Sequence, residues 1–63
     1  MTKTYSGRTW QPTAFTTTHG TYTVPAGTKL TATEAACDAE ETETITVTID
    51  GTEGQVIRWH VSF

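Results

Sequence analysis

The chain has little of almost everything that announces chemistry. Its one cysteine, Cys37, excludes an internal disulfide, so the bridges that staple many small secreted domains are not available to it. Lysine and arginine total 4 against 7 acids, for a formal net charge of −3. A protein that tracks a nucleic-acid backbone needs clustered cations to displace counterions from phosphates, and Lys3, Arg8, Lys29 and Arg58 are too few and too scattered. Nucleic acid is therefore not an expected partner. Long apolar runs are also missing: mean hydropathy is −0.36, and the stretch after Met1, Thr-Lys-Thr-Tyr-Ser-Gly-Arg, holds neither a signal-peptide h-region nor a membrane span. Together with a lone thiol, this predicts a soluble, cytoplasmic protein without a membrane partner.

The motifs of metal and catalytic sites are missing as well. His19, Cys37, Asp38 and His60 have zinc-ligating chemistry, but structural zinc sites are built from close-spaced ligand pairs that this chain does not contain. No metal or cofactor is expected. Nucleophilic catalysis needs a base held against a hydroxyl or thiol, and two histidines among many threonines match such a pattern by accident. A chain of 63 residues also has little room to enclose a substrate cavity. The expectation is a protein that is not an enzyme.

What the chain does have is threonine, at 17 of 63 positions. From Thr42 to Ile49 it alternates strictly with other residues, the period-2 pattern of a strand with one buried face. Threonine is a good β former on a solvated surface. The pairs Thr16/Thr18, Thr21/Thr23 and Thr44/Thr46/Thr48 resemble the threonine arrays of ice-binding sheets. Those arrays depend on regular repeats to stay flat, and no repeat is present here.

Glycines and prolines divide the chain into short segments. Lys3 to Trp10 reads as a first strand, with a bulge or a close backbone approach at Gly7. His19-Gly20 reads as a two-residue hairpin turn pairing Thr17 with Tyr22 and Phe15 with Val24, which puts all four on one face. Val24-Pro25-Ala26-Gly27 has type I turn composition and leads into a strand through Lys29, Leu30 and Thr31. From Thr31 to Glu43 two readings stand level. Thr31 and Glu34 have capping-box spacing and Ala32, Ala35, Ala36 and Ala39 fall on a helical stripe, yet an alanine stripe buries little and the segment also reads as an irregular acidic loop. For the last hairpin, Ile45, Val47 and Ile49 share a core with Ile57, Trp59, Val61 and Phe63 only if Val47 opposes Ile57. That register predicts a long loop centred on Thr52 rather than a tight Asp50-Gly51 turn, and a last strand tied down through Phe63.

The fold expected is all-β: one small domain over residues 1–63, an antiparallel meander or partly closed barrel of four to five strands, with a short helix near 32–39 or the acidic loop in its place. Val24-Pro25-Ala26-Gly27-Thr28 followed by a charged hairpin resembles small SH3-like barrels. The likeness covers a minor part of the chain and implies no functional residue.

The candidate core is Phe15, Tyr22, Val24, Leu30, Ile45, Val47, Ile49, Ile57, Trp59, Val61 and Phe63. A chain this short buries about 60% of the surface its unfolded form exposes, so stability is marginal and homodimerisation through sheet edges is an expected relief. Two surfaces are candidates for binding a protein partner. One is a sheet face carrying Trp10, Arg58 and His60, a cation and an imidazole beside an aromatic ring. The other is the acidic segment with Glu34, Asp38, Glu40, Glu41 and Glu43. The functional expectation is a non-enzymatic protein–protein interaction module, one narrower form being a phage- or virus-type inhibitor that occludes a basic site by acidic mimicry. The other expectation is a structural or assembly subunit that self-associates through its β edges.

Overall fold

The computed structural model describes residues 3–63. Its elements are β1 (Thr4–Thr9), β2 (Thr13–Thr17), β3 (Gly20–Val24), β4 (Lys29–Thr33), the helical turn α1 (Glu34–Cys37), β5 (Thr44–Ile49), β6 (Thr52–Ile57), a 3₁₀ turn at Arg58–His60 and β7 (Val61–Ser62). The strands form one antiparallel sheet in the order β3-β2-β6-β5-β4-β1-β7, which does not close on itself. The all-β, antiparallel expectation holds, but there are seven strands rather than four to five and the sheet is open. Part of the excess arises where the last segment breaks into β6 and β7 around the 3₁₀ turn.

The inner face follows from the register. Gly7 lies opposite Leu30, Ala32 opposite Val47, Val47 opposite Gly54 and Ile45 opposite Val56. Those residues are buried, together with Phe15, Ala36 and Val61, and Val24, Ala39 and Ile49 pack against them. Ala36 reaches this core from α1, which lies against β4, β1 and β5. Thr33, not Thr31, caps the helix, its hydroxyl accepting from Ala36 N–H at 3.4 Å. Thr31 lies mid-strand, paired with Ser6 on one side and Thr48 on the other, whereas Thr33 is the last residue of β4 and adjoins the helix. The alanine stripe is thereby split, with Ala32 in a strand and Ala36 in the helix.

The last hairpin departs most from expectation. Asp50 (φ 52°) and Gly51 (φ 81°) form the tight turn, so Ile49 faces Thr52 and Ile45 faces Val56. Asp-Gly with positive φ at both positions has the type I′ geometry whose twist matches the flanking strands, and this local preference overrides the apolar alternation of Ile57 and Trp59. The difference from the expected register is odd, so every side chain of β6 changes face. Val56 becomes core at 1% exposure, whereas Trp59 is 41% exposed and Ile57 half-buried. The 3₁₀ turn then resets the parity, which returns Val61 to the core. Phe63 is 40% exposed and follows β7 rather than belonging to it.

The first hairpin also turns one residue earlier than expected, on Thr18-His19, pairing Phe15 with Tyr22 and Thr17 with Gly20. His19 needs no positive φ, because Gly20 (φ 131°) takes the unusual conformation. Here the slip is even, so Phe15, Thr17, Tyr22 and Val24 still share a face, although Tyr22 is 53% exposed.

Two close approaches hold the sheet together. A Cβ on Gly7 would lie 2.7 Å from Phe63 Cδ1 and 2.9 Å from Ser62 O, which realises the approach expected there. A Cβ on Gly54 would lie 2.7 Å from both Phe15 Cε1 and Thr16 O. The buried Thr9 seals the connection between β3 and β4. Its hydroxyl donates to Pro25 O at 2.8 Å and accepts from Thr28 N–H at 3.1 Å, while its own N–H donates to Thr28 O and its carbonyl accepts from Gly27 N–H. Thr9→Val should cost about 2 kcal/mol by leaving Thr28 N–H without an acceptor in a part-buried site. Gly54→Ala should cost at least ~2 kcal/mol by forcing β2 and β6 apart. Chemical denaturation checks both; an unchanged midpoint in either variant would refute the corresponding contact.

Candidate functional site

The sites expected from sequence rearrange around the 3₁₀ turn. Trp10 leaves the end of β1 and donates twice to this turn, from its backbone N–H to His60 O at 3.1 Å and from Nε1–H to Trp59 O at 2.6 Å. The rings then meet edge to face. Trp10 and Trp59 centroids are 5.3 Å apart at 60°, and Trp59 and His60 are 4.2 Å apart at 66°. Trp10 remains 52% exposed. The result is a two-tryptophan platform whose orientation is set by hydrogen bonds rather than by burial in the core.

His60 supports the platform from below. Nδ1 lies 2.7 Å from Thr13 Oγ1, and Nε2 lies 2.7 Å from Gln11 Nε2. With the Gln11 amide nitrogen donating, His60 Nε2 accepts and Nδ1–H donates to the buried Thr13 hydroxyl. Both ring nitrogens are thus occupied by protein partners. An imidazole held in this way is fixed in orientation beside Trp59.

Arg58 does not join Trp10 and His60, contrary to the shared sheet face expected for them. In the 3₁₀ turn its side chain swings the other way and donates to Cys37 O from Nε (3.3 Å) and Nη2 (3.1 Å), and to Val61 O from Nη1 (2.9 Å). Its guanidinium carbon lies 4.8 Å from the Phe63 ring centroid. The cation–π pair therefore involves Phe63, not a tryptophan, and the donors satisfy the last carbonyl of α1 and the first of β7. Arg58 is a brace.

The acidic residues line one continuous segment. Glu34 opens α1 and Asp38 closes it, while Glu40, Glu41 and Glu43 follow on the connection to β5; all five are exposed. The connection is stapled to the platform through its backbone: Arg58 N–H donates to Glu43 O at 2.8 Å and Trp59 N–H to Glu41 O at 3.2 Å. Glu43 also folds back, its carboxylate accepting from Glu40 N–H at 3.3 Å. The acidic segment and the aromatic platform are thus neighbours in space, which sequence spacing did not show.

On the other side, Trp10 lines an open groove of about 800 Å³ over the outer surface of β1 and β4. Arg8 and Lys29 line it too and stand directly opposite each other across the strand pair. Like charges so placed repel, and both side chains are exposed to solvent, which screens them. His19 sits exposed at the hairpin tip, and among the described residues no three His, Cys, Asp or Glu side chains are grouped to hold a metal ion. Among the same residues no helix is long and apolar enough to cross a membrane.

Comparison with known proteins identifies no relative: no family model, no curated protein and no solved structure matches the chain.

The site residues missed by sequence reasoning are Trp59, assigned to the core, and Gln11 and Thr13, to which no role was given. The Asp50-Gly51 dipeptide carried the signal for Trp59, because a type I′ turn there places Val56 inward and ends the apolar alternation. Arg58→Ala should lower stability by about 2 kcal/mol through loss of charged donors to Cys37 O and Val61 O, a cost that a solvent-facing arginine would not show. Thermal and denaturant unfolding of the variant decide this; wild-type stability would mean that the brace contributes nothing.

Proposed function

We propose that this chain is a non-enzymatic interaction module that binds another protein through the Trp10–Trp59–His60 platform, with the acidic segment Glu34, Asp38, Glu40, Glu41 and Glu43 steering a basic region of that partner. One observation carries the reading: two tryptophans, 52% and 41% exposed, are locked to each other and to the backbone instead of being buried. Tryptophan supplies large apolar area with few rotatable bonds, and a ring already fixed in place loses little further entropy on binding. Aromatic anchors of this kind dominate interface energetics, while flanking charge sets approach and selectivity.

Charge around the platform is divided. Glu41 and Glu43 are tied to it through the backbone, and Arg8 and Lys29 lie along the groove that Trp10 lines. A partner offering an apolar pocket for Trp59, with basic residues placed over the acidic segment, matches this arrangement. Arg58, expected at the contact surface, acts in this reading by holding the 3₁₀ turn in place.

Affinity capture from source-cell extract with wild-type protein identifies the partner, and titration of variants against that purified partner tests the surface. Trp59→Ala should weaken binding by about 30-fold, the equivalent of roughly 2 kcal/mol at an interface anchor. Paired Glu40→Lys and Glu41→Lys should slow association and reduce its dependence on ionic strength. Full affinity in both variants, with the fold intact by circular dichroism, would overturn the proposal.

A further inference from the structure

The two ends of the sheet are unequal. β7 is a two-residue edge whose Val61 carbonyl already accepts from Arg58 Nη1 at 2.9 Å, and Phe63 and Gly7 are in close contact beside it. β3 is a five-residue edge without proline or charge, and every residue in it except Val24 is exposed. From Thr9 to Thr28 the chain contains no lysine, arginine, aspartate or glutamate. The devices that normally protect an edge strand, namely charge, proline, a bulge or a covering segment, are therefore concentrated at one end of the sheet.

The open edge also has a definite polarity of hydrogen bonding. Thr17 and Gly20 close the two-residue turn, so Tyr22 and Val24 direct their backbone groups to β2, while Thr21 and Thr23 direct theirs outward. Those outward residues flank Tyr22 symmetrically as Thr21-Tyr22-Thr23. We propose that β3 pairs antiparallel with β3 of a second copy of this chain about a two-fold axis at Tyr22. Thr21 then exchanges N–H···O=C bonds with Thr23 of the other copy and the two Tyr22 residues face each other in the close, non-hydrogen-bonded position. An open hollow of about 330 Å³ lined by Phe15, Tyr22 and Ile49 lies alongside.

The second copy is favoured over an unrelated strand by the symmetry of the triplet and by charge. A neutral edge meets a neutral edge, so the net charge of −3 does not act at the contact. With one unprotected edge among the described strands, the pairing closes at a dimer instead of propagating into a filament. The proposal does not rest on the tryptophan platform, and failure of either leaves the other standing.

Sedimentation equilibrium over a concentration series is the test. The mass should rise from 6.9 kDa towards twice that value. Thr23→Pro removes an outward donor while leaving the ladder to β2 intact, and it should hold the protein at monomer mass, as should Tyr22→Lys. In a Cys37→Ser background, Tyr22→Cys should form a disulfide-linked dimer with oxidised glutathione, whereas Thr21→Cys should not, because its Cα atoms are too far apart across the axis. Monomer mass at every concentration, a dimer that survives both edge substitutions, or cross-linking at Thr21→Cys in place of Tyr22→Cys would each overturn it.

Discussion

The Asp50–Gly51 turn is the constraint on which the rest of this structure depends. Two residues with positive φ give a tight connection, and a tight connection leaves one register for β5 and β6. That register sets Val47 opposite Gly54 and Ile45 opposite Val56. Gly54 then lies where the Phe15 ring needs room, beside the Thr16–Gln55 pair by which the β2–β3 hairpin joins the sheet. If β6 were shifted by one residue, Gln55 would enter the core and Phe15 would meet a side chain.

The same register expels the tryptophan. With Val56 inward the strand ends at Ile57, and the chain breaks into a 3₁₀ turn through Arg58, Trp59 and His60 that leaves Trp59 41% exposed. Three sets of hydrogen bonds hold that break: Arg58 on Cys37 O and Val61 O, the Glu41 and Glu43 carbonyls on its N–H groups, and Trp10 donating from Nε1–H to Trp59 O and from its backbone N–H to His60 O. Structure and candidate function meet at this point, since the groups that stabilise the interruption also fix the exposed rings. Every buried side-chain nitrogen or oxygen among the described residues has a partner, so the hydroxyls of Thr9 and Thr13 are compatible with the core they enter.

Thr9 and Thr13 also explain how so threonine-rich a chain has an interior. Each takes a buried place on the inner face that an apolar residue would fill in a larger protein. Thr9 offsets its desolvation by bonding the Pro25–Thr28 turn, and Thr13 by bonding His60. The core itself is made of small aliphatic residues and one phenylalanine, so the larger aromatics Tyr22, Trp10 and Trp59 remain at the surface.

Local chemistry in the sequence determined the antiparallel β class, the inner-face parity of Phe15, Leu30, Ile45 and Val47, the close approach at Gly7 and the exposure of the acidic segment, because alternation and glycine placement act over a few residues. A helical turn near Glu34 was legible only as one of two readings, since β4 runs on through Thr31 to Thr33 and the cap falls at the strand's end. In the final hairpin the apolar alternation of Ile57, Trp59 and Val61 points to one register and the Asp50-Gly51 turn to another, and the turn prevails. Only the tertiary structure decided that Trp59 faces solvent, that Arg58 turns away from His60, and that Trp10 reaches across 49 positions to the Trp59 carbonyl. The physical reason is that these placements rest on contacts between β1, the acidic connection and the 3₁₀ turn, and no local pattern encodes where such distant segments meet.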